Sequence, residues 1–191
     1  MGSLTERQKS VIIGCLLGDG AMRCKYNALL EINHSLKQKA YVDWKYRQLK
    51  KIVATPPKRR FSNNGRIAYR FTTRSVPELT SLYKYFFRGK RKIIPDDLKV
   101  TNLSLAVWFM DDGCKSYRAV YFNTQKFDST EQLKLSELLR KQHGIITTIN
   151  KDKKYWRLRV AVGSMGRLRE AIEPYLLPEL TYKLPLRPRN D

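Results

Sequence analysis

Two nine-residue segments of this chain share a pattern that constrains how it can fold. Each is a run of apolar residues closing in Asp-Gly, at Ile12–Gly20 and Leu105–Gly113, and their final aspartates lie 93 residues apart. A second likeness follows downstream, where polar and apolar residues alternate around both Ile67 and Leu158, at an offset of 91. Repetition at a nearly constant spacing predicts an internal duplication.

A third pair of segments supports the duplication. A Lys-Ile-Ile-Pro segment at 92–95 is matched by Lys-Leu-Pro at 183–185, again 91 residues later. Three unrelated local patterns with offsets of 91 to 93 are hard to obtain by chance. We therefore predict two pseudo-symmetric halves, residues 1–98 and 99–191.

Local signals predict the same order of elements, α-β-β-α-β-β-α, in both halves. Thr5 and Gln8 have the spacing of a capping box at the start of the first helix, which runs to Gly18. The sequence Ser62-Asn63-Asn64-Gly65 is typical of a turn between strands. The fold class is therefore expected to be α+β. The remaining predicted segments are strands at 22–34, 58–74, 117–125 and 145–162, and helices at 37–53, 76–88, 103–111, 129–142 and 164–176.

The charge of the chain restricts its partners. Lysine and arginine number 38 against 17 acidic residues, a formal net charge of +21 over 191 residues. A globular protein tolerates this self-repulsion most readily beside a polyanion, which favours nucleic acid. An anionic membrane surface is the weaker alternative, because no basic amphipathic helix and no apolar run of transmembrane length is present. No secretory signal is recognised, so we expect an intracellular protein. Three cysteines and two histidines without metal-ligand spacing argue against zinc.

Asp19 and Asp112 are the strongest candidates for catalytic residues. The helices before them are apolar on every side, as expected of helices buried on every side, and parallel packing of the two would bring their ends together. Helix C-termini carry free carbonyls and partial negative charge, so two carboxylates there would form an anionic site suited to Mg²⁺. A simple turn after each helix is the alternative interpretation of Asp-Gly, and the repetition of the motif favours the metal site.

The motifs and several further blocks resemble a known family. With them, nearly the entire chain is similar to the double-motif LAGLIDADG homing endonucleases, and in particular to the yeast mitochondrial intron-encoded branch. The second motif departs from the first, since Val107 and Asp111 stand where Gly14 and Gly18 stand, so the helix contact must be asymmetric. Asp111 also offers a competing carboxylate. The blocks that carry the resemblance, besides the first motif, are Ser104–Gly113, Phe122–Gln125, Pro174–Pro178 and Tyr182–Pro185.

This resemblance implies a fold, an activity and a cofactor. Each half would carry a saddle-shaped antiparallel sheet lying in the major groove of double-stranded DNA, around two packed motif helices. Asp19 and Asp112, assisted by the backbone carbonyls of Gly18 and Asp111, would bind Mg²⁺, with Ca²⁺ supporting binding without cleavage. The protein would act as a monomer that makes a double-strand break and so initiates intron or mobile-element homing. Its compartment would be a mitochondrion or chloroplast, with the bacterial cytoplasm left open.

The family also has a basic residue near each scissile phosphate, and Lys92 and Lys183 match it. They would stabilise charge growing on the phosphoryl oxygens or help to organise the attacking water; ordinary phosphate anchoring is the alternative. Gln125 would position water or metal, or make a structural hydrogen bond.

Alternation along the strands indicates which side chains face DNA. The side chains of Ile67, Tyr69 and Phe71 should point to the core, and in the second half those of Leu158, Val160 and Val162 should do the same. The arginines that alternate with them should point outward. Roughly half of these arginines should contact phosphates rather than bases. The tryptophans Trp44, Trp108 and Trp156 are expected in the core. The predicted DNA-binding residues are Arg23, Lys25, Lys58, Arg60, Arg66, Arg70, Thr72, Arg74, Lys115, Tyr117, Asn123, Lys151, Lys153, Arg157 and Arg159.

Two other functions compete with DNA cleavage. The first is an RNA-binding maturase that assists splicing of its host intron, alone or together with cleavage, because basic strands would serve RNA equally well. The second is a DNA-binding regulator without nuclease activity, against which no helix-turn-helix segment is found. The presence of both aspartates and both lysines favours cleavage, since a pure binder has no need of an anionic metal site.

Overall fold

The first helix, α1 (Glu6–Leu17), begins at the predicted capping box. In the computed structural model, which describes residues 4–61 and 65–186, the Thr5 side chain accepts a hydrogen bond from the Gln8 amide, and the Gln8 side chain accepts one from the Thr5 amide at 3.0 Å. These bonds satisfy two amides that a helix start otherwise leaves open. Most of the helix is buried, as its apolar sequence predicts.

The first of two compact units comprises residues 1–91. Its four-stranded antiparallel sheet has the order β1-β2-β4-β3, and a short two-stranded ribbon follows at the boundary of the unit. Of the predicted turn Ser62-Asn63-Asn64-Gly65, residues 62–64 lie outside the described residues, and Gly65 has a positive φ of 74°. The elements after α1 are β1 (Ala21–Cys24), β2 (Ala28–Ser35), α2 (Lys39–Leu49), β3 (Lys58–Phe61), β4 (Ile67–Thr72), α3 (Pro77–Phe86), β5 (Phe87–Arg88) and β6 (Arg91–Lys92).

One face of this sheet is covered by α2 and α3. Leu30, Ile32 and Phe71 are buried beneath them. The Tyr69 hydroxyl donates to Asp43 of α2 at 3.0 Å, and burial is the largest cause that raises the pKa of this hydroxyl. The Thr80 hydroxyl of α3 accepts from the amide of Ala28 at 2.9 Å. Among the described residues, the strands carry exposed and half-buried side chains on the opposite face.

The second unit, residues 92–191, repeats this architecture. Its sheet has the order β7-β8-β10-β9, which matches the first sheet strand for strand. The same topology in two successive units confirms the α+β class. The boundary after residue 98 stays a prediction. The elements are α4 (Asn102–Asp112), β7 (Gly113–Ser116), β8 (Ala119–Phe122), α5 (Ser129–His143), β9 (Thr147–Asp152), β10 (Tyr155–Val160) and α6 (Met165–Ile172).

The motif helix α4 lies at the centre of the second unit. Every residue from Leu103 to Asp112 is buried, as expected of a helix that is apolar on every side between Leu105 and Met110. Trp108 and Phe109 pack against Phe122 of β8, with ring centroids 4.3 and 5.9 Å apart. The sheet and α6 therefore hold this helix, and with it the position of its last residue.

Strand pairing corrects the proposed correspondence of Ile67 with Leu158. Ile32 pairs with Phe71, whereas Phe122 pairs with Leu158, so the residue equivalent to Leu158 is Phe71, four positions beyond Ile67. The error arose because the connections of the two halves differ in length. The alignment was wrong by four residues, an even number, so the assignment of side chains to the two faces of the sheet is unaffected.

Several smaller predictions at element ends were wrong. The ribbon of β5 and β6 was not foreseen, and the predicted helix 164–176 ends at Ile172 before a short 3₁₀ turn. Val162 is exposed rather than buried because β10 ends at Val160. Trp108 is fully buried as expected, whereas Trp156 is 45% exposed.

Within residues 4–61 and 65–186, none of the helices has the combination of length and apolarity that crossing a membrane requires.

Candidate active site and nucleic-acid interface

Asp19 follows directly on the end of α1. The amide of Gly18 donates to Gly14 O at 3.0 Å, and the amide of Gly20 donates to Cys15 O at 2.7 Å. These two bonds turn the chain from the helix into β1 and leave the Asp19 side chain 50% exposed. An exposed carboxylate at the carbonyl end of a buried helix is open to a cation.

Asp112 lies at the same point of the second unit but in a more enclosed setting. Its side chain is only 9% exposed, and its Oδ2 lies 3.0 Å from the Nζ of Lys126. Its carbonyl accepts the amide of Asn123 at 2.9 Å, which ties the helix end to β8. The two motif carboxylates therefore differ in exposure, and Asp112 has a lysine ammonium beside it.

The final glycine of each motif is required by space. A Cβ at Gly20 would lie 2.7 Å from Cys15 O, and one at Gly113 would lie 2.5 Å from Phe109 O. Both contacts are with backbone, which cannot move aside as the end of a flexible side chain could. The Asp-Gly pair thus combines a carboxylate with the only residue that permits the sharp exit from the helix.

Replacing Gly113 by alanine is accordingly expected to lower the free energy of unfolding by about 1–3 kcal/mol, the range of overpacking in a filled core. The measurement is urea unfolding. Gly163→Ala is the matched control, because nothing lies within 4 Å of a Cβ at Gly163. Equal losses in the two variants would contradict the steric account.

Lys183 lies at the end of the second motif helix. Its buried Nζ donates to Met110 O at 2.5 Å and to Asp111 O at 2.9 Å, and so binds helix carbonyls that have no partner within the helix. One of them is the Asp111 carbonyl expected to assist the metal. Lys92, its predicted counterpart, lies in β6 and is partly buried.

Gln125 lies in the turn after β8 rather than in a strand. Its Nε2 donates to Asp152 Oδ2 at 2.8 Å. This contact joins the turn to the end of β9. It is a hydrogen bond between two parts of the fold, which was the alternative to a role in positioning water or metal.

Two cationic or ionisable neighbours of the motif carboxylates were missed by the sequence analysis. Lys126 contacts Asp112, and the Nδ1 of His34 lies 3.8 Å from Asp19 Oδ2. His34 is the last residue but one of β2 and Lys126 lies in a turn, so each is brought to its aspartate by tertiary structure. No short-range motif signals either of them.

The donor set suits a hard divalent cation. It consists of the motif carboxylates, with backbone carbonyls next to them in the chain, and contains no thiolate. Oxygen donors of this kind are those that Mg²⁺ and Ca²⁺ prefer. Each motif end therefore carries an acidic group suited to such a cation.

The open face of the first sheet is basic. Glu31 lies among its arginines: it forms an ion pair with Arg23, and its Oε1 is 3.9 Å from Arg70 Nη1. Lys25 and Arg74 lie outside the strands, and Arg74 donates to Lys51 O at 2.9 Å. The register places several predicted DNA-binding residues on this one face, namely Arg23, Lys58, Arg60, Arg70 and Thr72.

The open face of the second sheet is organised around Tyr121. Arg159 pairs with Tyr121 across the sheet, and the guanidinium of Arg157 lies 4.0 Å from the centre of its ring. Tyr121 is equivalent to Glu31, because Cys114 pairs with Tyr121 as Ala21 pairs with Glu31. One register position thus orients an arginine in each sheet, by charge in the first and by cation-π contact in the second.

The register separates two of the predicted DNA-binding residues from the others. Lys115 pairs with Val120, and Lys151 pairs with Trp156. Both pairs belong to the face opposite Arg159, so the open sheet face does not favour Lys115 and Lys151 as DNA contacts. Lys153 and Tyr117 lie in hairpin turns at positive φ, and Tyr117 is 90% exposed.

The sheet faces also carry amides and hydroxyls that the sequence analysis passed over. Asn33 pairs with Arg70, Asn150 pairs with Arg157, and Thr148 pairs with Arg159. Asn33 lies two residues after Glu31, and Asn123 lies two residues after Tyr121. Asn33 is therefore equivalent to Asn123, which was predicted to bind DNA. Asparagine can form two hydrogen bonds with adenine, so these positions extend the candidate interface.

Comparison with known proteins bears on both the site and the interface. Residues 9–168 match the model of the LAGLIDADG DNA endonuclease family. The chain is 28% identical over 197 residues to probable intron-encoded endonuclease 1 of Wickerhamomyces canadensis, covering 95% of the chain and 85% of that protein. It is 27% identical over 213 residues to cytochrome b mRNA maturase bI2 of Saccharomyces cerevisiae, covering 96% of the chain and 48% of that protein.

A solved structure has the same architecture. It is the homing endonuclease I-WcaI bound to its DNA recognition sequence, with a TM-score of 0.89, 26% identity, and coverage of 98% of this chain and 89% of that one. The chain spans about half the length of several curated relatives that it matches.

Proposed function

The chain belongs to the LAGLIDADG DNA endonuclease family, and we propose that it is a site-specific homing endonuclease that hydrolyses both strands of a duplex DNA target with the help of Mg²⁺. The observation that carries the proposal is the repeated helix end. Asp19 and Asp112 each follow or close a buried helix and precede a glycine that cannot carry a side chain. A protein that only binds nucleic acid has no use for two such carboxylates.

In the proposed mechanism Asp19 and Asp112 hold the divalent cations, with support from the carbonyls of Gly18 and Asp111. Bound Mg²⁺ supplies Lewis acidity toward the phosphoryl oxygens and a water of lowered pKa. Asp112 would hold a cation in place of its present contact with Lys126, and the ammonium of Lys126 would supply positive charge beside the bound phosphate.

The lysines contribute positive charge where negative charge accumulates. Lys183 lies against the last carbonyls of α4, one residue from Asp112, and Lys92 has the corresponding role in the first motif. Such fixed charges stabilise a phosphorane-like transition state more than the ground state. Gln125 holds the turn that carries Lys126 through its bond to Asp152.

The open sheet faces are proposed to read the target. Arg70 and Arg157 occupy equivalent positions and are held by Glu31 and Tyr121 respectively. A guanidinium held by a neighbouring side chain loses less conformational freedom on pairing with guanine. The surrounding lysines and arginines, including Lys25, Lys58, Arg66 and Lys153, contact phosphates and supply salt-dependent affinity.

Replacing Glu31 by glutamine tests this arrangement. Loss of the negative charge should strengthen binding to unrelated DNA, while Arg23 and Arg70 lose their common partner and discriminate bases less well. We expect the specificity ratio to fall by about tenfold, in keeping with the 1–3 kcal/mol of one base contact. Competition binding with matched and mismatched duplexes measures it. Glu170→Gln makes the same charge change on α6, and an equal loss of specificity there would contradict the role of Glu31.

The proposed function is tested by selection followed by cleavage. Duplexes are selected from a random library by binding to the protein in Ca²⁺, sequenced, and then incubated with the protein in Mg²⁺. The expected result is a break in both strands at one position of the selected sequence. Tight binding to the selected duplex without cleavage in Mg²⁺ or Mn²⁺ would overturn the proposal.

An RNA partner is the second candidate, favoured by the likeness to a protein named as a cytochrome b mRNA maturase. A host intron RNA would bind basic surface in the same salt-dependent manner. Splicing of that intron in vitro, with wild-type protein and with Asp19→Asn, separates the two activities. We propose a monomer in the compartment of its host intron, an organelle or a bacterial cytoplasm.

A further inference from the structure

A lysine and a histidine form a buried polar pair in the first unit. Lys45 of α2 is completely buried, and its Nζ lies 3.1 Å from the Nε2 of His34, near the end of β2. The same Nζ lies 4.2 Å from the centre of the Tyr41 ring. Burying an ammonium is costly unless its environment compensates, and here the imidazole lone pair and the aromatic face do so.

The lysine contact determines where the imidazole carries its proton. An ammonium group has three donors and no acceptor, so a charged Lys45 requires the Nε2 that faces it to accept. A neutral imidazole that accepts at Nε2 carries its proton at Nδ1. The Nδ1 is the atom that faces Asp19, 3.8 Å from Oδ2. With a charged Lys45, the lysine donates to His34 Nε2, and the Nδ1–H of His34 faces the Asp19 carboxylate.

The distance between His34 and Asp19 exceeds that of a hydrogen bond. In nucleases as in other enzymes, such contacts are often long before substrate binds and shorten in the reactive complex. A displacement of the exposed Asp19 side chain by less than 1 Å would complete the bond.

The second unit has a different group at the equivalent position. Counting from the Glu31 and Tyr121 equivalence, the counterpart of His34 is Thr124. Its hydroxyl donates to Gln132 of α5 at 3.0 Å and accepts from the amide of Leu158 at 3.1 Å. These groups are neutral, and Asp112 is contacted by Lys126 instead. The two motif carboxylates are thus oriented by unlike chemistry.

From this asymmetry we propose that His34, fixed as the Nδ1–H tautomer by Lys45, is a positioning residue that orients the Asp19 carboxylate for cleavage of one of the two DNA strands. The Asp19 carboxylate and the His34 imidazole are close enough to approach one cation together, but in this tautomer both ring nitrogens are engaged, so His34 orients a metal-binding residue rather than binding the metal itself. The inference rests on the proposed function, since it assigns His34 to the same reaction. Groups that orient a metal ligand typically change activity by about 10–100-fold.

Two substitutions of His34 separate its two contacts. The amide nitrogen of asparagine can occupy the place of Nδ1, and the amide oxygen of glutamine that of Nε2. His34→Gln keeps a partner for Lys45 and is expected to preserve stability while slowing the nicking of one strand by about 10–100-fold. His34→Asn keeps a donor for Asp19 and is expected to lose stability while nicking that strand within about threefold of the wild-type rate.

Strand-specific labels on the selected duplex give the two nicking rates, and urea unfolding gives stability. A purely structural His34 would rank the variants by stability, with glutamine the more active and both strands slowed equally, and that result would overturn the proposal. Thr124→Val is the control at the equivalent position. It should lower stability and leave the ratio of the two nicking rates unchanged.

A second measurement needs no cleavage. The chain has two histidines, so ¹⁵N spectra of the imidazoles can be assigned with a His143→Gln variant. We expect His34 to show a protonated Nδ1 and an unprotonated Nε2, both with and without Ca²⁺ and selected duplex. An Nε2–H tautomer, or direct binding of Ca²⁺ at Nδ1, would overturn the proposal. If wild-type protein never cuts selected DNA, the proposed function fails, while the tautomer is still decided by these spectra.

Discussion

Asp19→Asn and Asp112→Asn are each expected to abolish double-strand cleavage of the selected duplex, with a loss of at least about 10³-fold in rate. Asparagine keeps the shape of the side chain and removes the negative charge that holds a divalent cation, on which the activation of water depends. DNA affinity in Ca²⁺ should change little, because most of it comes from the basic sheet faces. Single-turnover cleavage and binding titrations with each variant measure the two quantities.

The two substitutions should differ in their effect on stability. Asp19 is half exposed, so its replacement is expected to be nearly neutral. Asp112 is enclosed beside Lys126, and its replacement leaves that ammonium without its acidic partner. Asp96→Asn, which alters an exposed carboxylate paired with Lys134, is the control for charge alone. Full cleavage by either motif variant, or loss of folding together with activity in both, would show that the carboxylates are structural.

The motif ends were predictable because their geometry is local. The capping box of α1, the helix exits at Gly20 and Gly113 and the alternation of core and surface side chains all depend on residues within a few positions of one another. Local patterns of this kind can be recognised from the chain itself. Side chains of a strand alternate between its two faces, so an alignment error of an even number of residues does not change the face assigned to a side chain. This is why Arg70 and Arg157 were placed on the correct face.

The contacts around the carboxylates could not be predicted in this way. His34 is 15 residues from Asp19 in the chain and Lys126 is 14 from Asp112, and each reaches its aspartate only through the pairing of strands. The offset between the halves also varies, from 93 at the motifs to 87 at Phe71 and Leu158, because connecting segments differ in length. A constant offset therefore locates the duplication but not the equivalent residues.

The asymmetry of the second motif has a structural counterpart in Lys183. The buried Nζ binds the carbonyls of Met110 and Asp111, where a free helix end would leave them without donors. Lys183→Met removes both bonds and the charge while keeping an unbranched apolar chain. We expect a loss of about 1–3 kcal/mol in the free energy of unfolding, since buried carbonyls become unsatisfied. Cleavage should fall by about 10²–10³-fold, the range for removal of one fixed donor near a developing charge.

The control for this prediction is another lysine that binds backbone. Lys134 Nζ lies 3.5 Å from Ile94 O and 2.7 Å from Asp96, so Lys134→Met removes a lysine charge and a weaker backbone contact outside the motif. It should lower stability without lowering the rate of cleavage by folded protein. Lys183→Arg restores charge and donors and should recover part of the activity. If Lys183→Met lost stability but cleaved at the wild-type rate at low temperature, the lysine would serve only to cap the helix, and the charge near the scissile phosphate would have to come from Lys126.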